Sequence, residues 1–269
     1  MLPFYMNQLE KLVKDINKIA IQAGEAILKV YDASGDIAYS KKDDNSPLTK
    51  ADGAANTVIC DGLEGLELIY PILSEENKEI PYAERKMFDR FWVVDPLDGT
   101  KEFIKRNGEF TVNIALVENG MPILGVVYTP VTEELFYAVK GSGAYRSHHG
   151  KETKLDVNQF SKTDAGLRLV CSRSHLNEET QAFVDQYTTP DLVSKGSSLK
   201  FMILAMGQAD IYPRLAPTME WDTCAAQIIL EEAGGQVINN ETKQPVHYNK
   251  ENLLNPHFIA MGGLKEESL

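Results

Sequence analysis

The spacing of apolar residues near the N-terminus predicts a long amphipathic helix over residues 7–31. Its apolar positions recur every three or four residues, which places them on one face of a helix. They are Leu9, Leu12, Val13, Ile16, Ile19, Ala20, Ala23, Ile27 and Val30. A second helix is predicted over residues 50–65, after a polar loop. Apolar runs at 110–117, 123–128 and 135–139, with turn residues between them, predict strands of an antiparallel sheet.

From about residue 155 the pattern changes to alternating strands and helices, which is typical of an α/β unit. Strands are predicted over 167–171, 211–212 and 258–261, and helices over 177–187, 198–208 and 222–233. Layers of helices and sheets in two domains are therefore expected, with residues 1–155 forming an α+β domain and residues 156–269 an α/β domain.

The composition is that of an ordinary globular protein, since 43% of the 269 residues are hydrophobic and 25% are charged. A formal net charge of −12 argues against nucleic acid as a partner and against electrostatic binding to anionic lipid. The apolar stretches are too short for a membrane span, and no signal-peptide pattern is found. Cys60, Cys171 and Cys224 lack metal-binding spacing, so we expect them to be reduced and buried in a cytoplasmic protein.

Residues 92–100, Trp-Val-Val-Asp-Pro-Leu-Asp-Gly-Thr, carry the strongest functional signal. A short apolar run ends in a turn that holds Asp95 and Asp98, with the Leu97 carbonyl oxygen between them. Converging oxygen donors of this kind suit Mg²⁺. A short helix predicted over 101–105 follows, and a helix start preceded by Thr100 can bind phosphate. The alternative is an Asx-rich surface turn.

Two further segments contain candidate acidic ligands. In residues 220–235 Asp222 stands at the start of a predicted helix, which Gly234 and Gly235 end. Glu75 and Glu76 follow an apolar run at 68–73. Alone, Asp222 can be read as a helix cap and the two glutamates as a solvated acidic loop.

Taken together, these segments resemble the inositol monophosphatase superfamily of Mg²⁺-dependent, lithium-sensitive phosphomonoesterases. The resemblance rests on Asp-Pro-Leu-Asp-Gly-Thr at 95–100 and on the segment from Trp221 to Gly235. It implies an α-β-α-β-α layered sandwich with the antiparallel sheet in the N-terminal half. It also implies two to three Mg²⁺ ions per site, held by Glu75, Asp95, Leu97 through its carbonyl, Asp98 and Asp222.

The segment Thr49-Lys50-Ala51-Asp52 begins the second helix and is similar to a family segment whose Asp pairs with the Thr of the Asp-Gly-Thr motif. The resemblance therefore assigns the activation of water to Asp52 and Thr100. Without the resemblance, Asp52 is an acid that stabilises a helix N-terminus through the helix dipole.

Substrate selection is expected to depend on residues 196–200 and 212–214. Gly196-Ser197-Ser198 opens a helix and can bind phosphate, while Lys200 and Arg214 add positive charge. A capped helix with solvated basic residues is the alternative. With Ser172-Arg173-Ser174-His175, these segments are similar to the 3′(2′),5′-bisphosphate nucleotidase branch of the family.

That branch implies hydrolysis of adenosine 3′,5′-bisphosphate to AMP and phosphate, within sulfur metabolism. It implies His175 against the adenine, and Ser197, Lys200 and Arg214 around the phosphate that is kept. The other implied substrate contacts are Glu75, Leu97, Asp98, Gly99, Thr100, Lys101 and Asp222.

Two other functions stay open at this point. An inositol-1-monophosphatase is the nearer alternative, but its substrate offers no second phosphate to Lys200 and Arg214. The other is a regulatory binding protein that keeps the fold without needing catalysis. The resemblance allows peripheral association with the inner membrane, and a homodimer is possible.

Overall fold

Two helices cover one face of a seven-stranded sheet. The computed structural model describes residues 2–33, 39–41, 47–171 and 177–265. Helix α1 (Leu2–Tyr31) and helix α2 (Lys50–Glu64) pack together and bury their apolar faces on the sheet. The amphipathic helix predicted over 7–31 is confirmed, and it begins earlier than the pattern indicated.

The seven strands follow one another in chain order across the sheet. They are β3 (Ile72–Ser74), β4 (Arg90–Asp98), β5 (Thr111–Glu118), β6 (Met121–Thr129), β7 (Glu134–Val139), β8 (Gly143–His148) and β9 (Lys151–Lys154). All neighbours are antiparallel except β3 and β4, which run parallel. The antiparallel sheet predicted from the runs at 110–117, 123–128 and 135–139 is confirmed. Strands β4 to β6 are buried almost throughout because helices cover both faces of the sheet.

A second, five-stranded sheet forms in the C-terminal half. Its order is β12 (Asp191–Val193), β11 (Arg168–Val170), β13 (Ile211–Arg214), β15 (Phe258–Met261) and β14 (Gln236–Asn239). Strand β11 runs parallel to β12 and β13, whereas β15 runs antiparallel to β13 and β14. Helix α5 (Glu178–Val184) packs on its outer face.

Helices α6 (Leu199–Ala205) and α7 (Glu220–Glu232) form the layer between the two sheets. Helix α7 approaches β6 closely at Gly125, where a Cβ atom would lie 2.4 Å from the Ile228 side chain and 2.5 Å from the Ala225 carbonyl oxygen. Only glycine fits this contact. The order of layers is therefore α-β-α-β-α, which confirms the expected fold.

The remaining elements are short. Helices α3 (Tyr82–Arg85) and α4 (Thr100–Ile104) flank β4 in the chain. Strands β1 (Tyr39–Lys41) and β2 (Pro47–Thr49) pair antiparallel. Strand β10 (Gln159–Phe160) pairs parallel with β16 (Gly263–Leu264). A single buried cluster contains residues of both large sheets. The division into domains at residue 155 stays a prediction.

Three expectations need correction. Cys60 is only half-buried, because it lies near the surface, where it contacts the Asn56 and Asn77 side chains. Cys171 and Cys224 are buried as expected, and all three thiols are free. Strand β4 continues through the expected turn to Asp98. The helices expected over 177–187 and 198–208 are shorter at their C-terminal ends. Among the described helices none is long and apolar enough to cross a membrane.

Candidate active site

An irregularity at the end of β4 presents the first two acids. Asp95 pairs with Asn113 on β5, the register then shifts, and pairing resumes between Asp98 and Thr111. The Asp95 Oδ1 atom accepts a hydrogen bond of 3.0 Å from the Leu97 amide. Because Pro96 has no N–H group, it cannot continue the hydrogen-bond ladder, and the chain bends here without leaving the sheet.

Three carboxylates meet at this bend. One oxygen from each of Asp95, Asp98 and Asp222 lies within 4.8 Å of the others. Asp222 comes from the first turn of α7, where its Oδ2 atom accepts a 2.9 Å hydrogen bond from the Met219 amide. Helix α7, which the sequence predicted, therefore places Asp222 where it both caps the helix and faces Asp95 and Asp98.

Burial and mutual repulsion make this cluster unfavourable without a cation. Desolvation raises the pKa of Asp95 well above its usual range, and the charges of Glu75, Asp98 and Asp222 raise it further. Desolvation, followed by the charge of Asp98, raises the pKa of Asp222 to about 8. A group of buried carboxylates with hard oxygen donors fits a divalent cation such as Mg²⁺.

Glu75 reaches the cluster from the end of β3. Its side chain takes part in a hydrogen bond with Asp95 that contributes to the raised Asp95 pKa. Its amide donates to the Val94 carbonyl oxygen at 3.1 Å. Glu75 is outside the tightest group of three acids, yet it lies close enough to serve as a further ligand.

Asp52 and Thr100 come together although they lie on different helices. The Asp52 Oδ2 atom accepts hydrogen bonds from the Thr49 amide at 2.8 Å and the Thr49 hydroxyl at 2.6 Å, which caps α2. Its Oδ1 atom lies 3.4 Å from the Thr100 hydroxyl, which is also 3.4 Å from the Leu97 carbonyl oxygen. Asp52 therefore caps a helix and faces the cluster at the same time.

Gly99 allows the sharp change of direction between Asp98 and Thr100. Its φ angle is 94°, in the left-handed region, and a Cβ atom would lie 3.1 Å from the Glu109 carbonyl oxygen. The sequence motif needs glycine here because the backbone is crowded as well as left-handed.

The sequence named Ser197 and Ser198 only as a phosphate-binding helix start, and their support of the acidic cluster, together with that of Thr111 and Asn113, was missed. The hydroxyls of Ser197 and Ser198 both donate to the Asp98 Oδ2 atom, at 2.7 Å and 3.0 Å. Thr111 and Asn113 on β5 contact these serines in turn. A signal was available, because Thr111 and Asn113 are polar residues two positions apart at the start of an otherwise apolar strand.

A cleft of about 720 Å³ is lined by both acidic and basic side chains. Asp98 and Asp222 line the cleft, and so do five cationic residues: Lys101, Lys105, Lys195, Lys200 and Arg214. The Lys200 Nζ atom donates to the Ser197 carbonyl oxygen at 3.1 Å, and the Arg214 Nη2 atom donates to the Pro217 carbonyl oxygen at 2.8 Å. No described residue accepts a hydrogen bond from the buried Arg214 Nε.

The structure thus brings most of the candidate residues to one cleft. Gly99, Thr100, Lys101 and Ser197 line it together with the acids and the basic residues. His175 lies outside the described residues, as does the rest of the 172–176 segment. The cleft combines carboxylates able to hold divalent cations with basic side chains able to hold an anion.

The sequence and fold match known proteins over nearly the whole chain. The model of the inositol monophosphatase family matches residues 8–267. The 3′(2′),5′-bisphosphate nucleotidase CysQ of Salmonella typhimurium is 45% identical over 248 residues, which cover 92% of this chain and 98% of the relative. The CysQ nucleotidase of Escherichia coli K12 is 44% identical over the same shares of the two chains.

A solved structure of a related protein has the same fold. The crystal structure of CysQ from Bacteroides thetaiotaomicron, described as a bacterial member of the inositol monophosphatase family, superposes with a TM-score of 0.82 at 42% identity. The match covers 94% of this chain and 97% of that one. An inositol monophosphatase from Anabaena, at 24% identity and a TM-score of 0.72, supports the fold alone.

Proposed function

This chain belongs to the inositol monophosphatase family, and we propose from that premise that it is a 3′(2′),5′-bisphosphate nucleotidase. It hydrolyses adenosine 3′,5′-bisphosphate to AMP and phosphate. The observation that carries this proposal is one cleft lined by Asp98 and Asp222 of the acidic cluster and by Lys200 and Arg214. A bisphosphate needs both kinds of side chain, since one phosphate is cleaved while the other is held.

Glu75, Asp95, the Leu97 carbonyl, Asp98 and Asp222 would hold the metal, for which we propose two to three Mg²⁺ ions. When bound, the ions would neutralise phosphoryl charge and lower the pKa of the attacking water. The buried carboxylates of this chain fix where that charge is balanced, because Asp95 and Asp222 are anchored by backbone amides.

Asp52 and Thr100 are assigned to the attacking water. The Thr100 hydroxyl can donate to Asp52 Oδ1 and accept a hydrogen bond from water, so that Asp52 receives the proton through the hydroxyl. The two hydrogen bonds from Thr49 hold the other Asp52 oxygen, and this orients the carboxylate towards Thr100.

Lys200, Arg214 and Ser197 are assigned to the phosphate that is kept, with His175 against the adenine. Ser197 would contribute its backbone N–H group, because its hydroxyl already donates to Asp98. Arg214 can turn its unpaired Nε group to an anion, and a guanidinium binds phosphate through paired hydrogen bonds. Lys101 is assigned to the substrate from its place in the cleft beside Gly99 and Thr100.

The two rival functions are not favoured. An inositol monophosphate offers no second phosphate for Lys200 and Arg214 to bind. A binding protein without catalysis would have no need of the acids, yet Glu75, Asp95, Asp98 and Asp222 are all present. Lithium sensitivity, a homodimer, a cytoplasmic location and peripheral association with the inner membrane stay predictions.

Phosphate release from a panel of substrates tests the proposal. The purified protein would be given adenosine 3′,5′-bisphosphate, AMP and inositol 1-phosphate, each with Mg²⁺ and with a chelator. We expect Mg²⁺-dependent release of one phosphate from the bisphosphate, with AMP left uncleaved. A parent protein with higher kcat/KM for inositol 1-phosphate would overturn the nucleotidase assignment.

A further inference from the structure

Asn113 is a buried amide near the start of an apolar strand. It is 1% exposed and lies on β5 directly opposite Asp95. Its Oδ1 atom accepts a 2.9 Å hydrogen bond from the Thr111 hydroxyl, and its Nδ2 atom donates to the Ser198 hydroxyl at 3.0 Å. A buried amide is costly unless such partners satisfy it, so the partners of Asn113 indicate what it does there.

Ser198 receives this hydrogen bond at the point where the two halves of the chain meet. It is 1% exposed and stands immediately before α6, but its side chain does not cap that helix. Its Oγ atom lies 3.0 Å from the Asp98 Oδ2 atom and 2.9 Å from the Asp222 carbonyl oxygen. Ser198 therefore touches two acidic residues of the proposed metal site, one from each half.

In the orientation in which Asn113 donates to Ser198, its amide directs the Ser198 hydroxyl proton away from Asn113. A serine hydroxyl has one proton to donate and lone pairs with which to accept. Because Asn113 donates to the Ser198 oxygen, the single Ser198 proton is left for Asp98 or for the Asp222 carbonyl. A reversed amide would take that proton and leave Asp98 with the Ser197 donor alone.

We propose that Asn113 is a positioning residue for divalent-metal binding, acting through Ser198 to fix Asp98 relative to the first turn of α7. Both serine Oγ atoms lie within 3.0 Å of the Asp98 Oδ2 atom and so restrain the carboxylate on that side. This proposal rests on the metal ligands of the proposed function. Asn113 is assigned no contact with the substrate. Its effect is therefore expected on the affinity of the site for the metal.

Direct binding of Mn²⁺, measured by electron paramagnetic resonance without substrate, tests the proposal. Mn²⁺ is a suitable probe because it takes oxygen ligands in the manner of Mg²⁺. The variants are Asn113→Ala, Ser198→Ala and the double variant. Residues that only orient metal ligands typically change metal affinity by about ten- to a hundredfold. We expect losses of that size in both single variants, with turnover restored when Mg²⁺ is raised to saturation.

The double variant separates a shared pathway from independent damage. If Asn113 acts through Ser198, the double variant should bind Mn²⁺ no more weakly than Ser198→Ala alone. Additive losses would overturn the proposed pathway. Asn158→Ala is the matched control, since Asn158 also donates one side-chain hydrogen bond, to Asp210, and lies outside the cleft lining. It should lower the melting temperature without changing Mn²⁺ affinity.

The proposal would be overturned if Asn113→Ala bound Mn²⁺ as the parent does and only lowered the melting temperature, as Asn158→Ala should. Asn113 would then have a structural role alone. If Asn113→Ala does not fold, Ser198→Ala decides, and normal Mn²⁺ binding in that variant would also overturn it. Failure of the parent to cleave the bisphosphate would count against the nucleotidase assignment alone, because Mn²⁺ binding is measured without a substrate.

Discussion

The Ser197 hydroxyl donates a 2.7 Å hydrogen bond to the Asp98 Oδ2 atom, although 99 positions separate the two residues in the chain. Ser197 holds a left-handed backbone conformation, with φ of 52°, just before α6. Its hydroxyl also lies 2.6 Å from that of Thr111 on β5. The position of Asp98 therefore depends on the packing of the C-terminal half against β4 and β5.

Replacement of Asp98 by Asn should remove most activity while the fold remains. A neutral amide cannot balance a divalent cation, and it presents an N–H₂ group where an oxygen now accepts two hydroxyl hydrogen bonds. We expect turnover to fall by at least about a hundredfold, more than residues that only orient ligands usually cause. Phosphate release measured against Mg²⁺ concentration, with circular dichroism to monitor the fold, provides the check.

Asp61→Asn is the control for this change, because it removes an exposed acid from α2 away from the cleft. Its activity should match that of the parent. Activity of Asp98→Asn within about tenfold of the parent at saturating Mg²⁺ would contradict the assignment of Asp98 as a ligand.

Arg214→Ala should impair the bisphosphate substrate selectively. Loss of a charge-assisted contact costs roughly 1.5–3 kcal/mol, so kcat/KM should fall about ten- to a hundredfold. Turnover of a simple monophosphate, which has no second phosphate for Arg214 to hold, should change little. Steady-state kinetics with both substrates on the parent and the variant make the comparison.

Two further variants sharpen that test. Arg214→Lys keeps the charge but loses the paired hydrogen bonds, so its effect should lie between those of the parent and the alanine variant. Lys162→Ala removes an exposed cation outside the cleft lining and should leave both substrates unaffected. Equal losses on both substrates in Arg214→Ala would mean that Arg214 is structural.

The metal-free protein should lose stability as the pH rises. Asp222 has a pKa of about 8 in the folded protein, against about 3.9 when unfolded. The folded state therefore binds more protons within this window, and the free energy of unfolding falls as the pH increases from about 4 to about 8. Bound Mg²⁺ replaces those protons, so it should raise the melting temperature more at about pH 9 than at about pH 5.

Melting curves recorded with Mg²⁺ and with a chelator across this range provide the measurement. Burial also raises the pKa of Glu231, to about 7, which destabilises the protein in the same direction. Because Glu231 is distant from the cleft lining, its contribution should cancel in the difference between the two series. A difference that stays constant with pH would count against coupling of the acids to a cation.

Gly99→Ala should destabilise the protein and distort the site. The left-handed backbone and the 3.1 Å approach to the Glu109 carbonyl oxygen leave no room for a methyl group. We expect the free energy of unfolding to fall by about 1–3 kcal/mol, and turnover to fall because Asp98 and Thr100 flank the change. Urea denaturation gives the stability.

Gly53→Ala is the matched control, since nothing lies within 4 Å of a Cβ atom there and the residue lies within α2. That change should stabilise the protein by about 0.5–1 kcal/mol. A Gly99→Ala protein as stable as the parent would show that the backbone at Gly99 can relax.

The sequence predicted best those features that depend on neighbouring residues. The Asp95–Thr100 turn and the start of α7 are local, so residue types at fixed spacing were enough to place Asp95, Asp98 and Asp222. The end of α6 was misjudged because the apolar pattern continues past Ala205, whereas Gly207 turns left-handed with φ of 67°. The spacing of hydrophobic residues does not predict the residue at which a helix ends.

The supporting hydrogen bonds could not be predicted in the same way. Asn113 and Ser198 are 85 positions apart, and nothing in either segment alone indicates the other. A polar residue in an apolar strand suggests a buried partner, but the partner is chosen by the packing of β5 against the α6 segment. The sequence was therefore sufficient to predict the site residues that belong to motifs. It was not sufficient to predict the residues that orient them.

The glycine contact between β6 and α7 has a consequence for biosynthesis. Gly125 admits α7 to the face of the first sheet, and α7 carries Asp222. While the ribosome is still making the C-terminal half, the nascent chain already contains Asp95 and Asp98 but lacks their third partner. Cation capture by all three acids must therefore wait until α7 has emerged and docked, so the metal site is assembled late in synthesis.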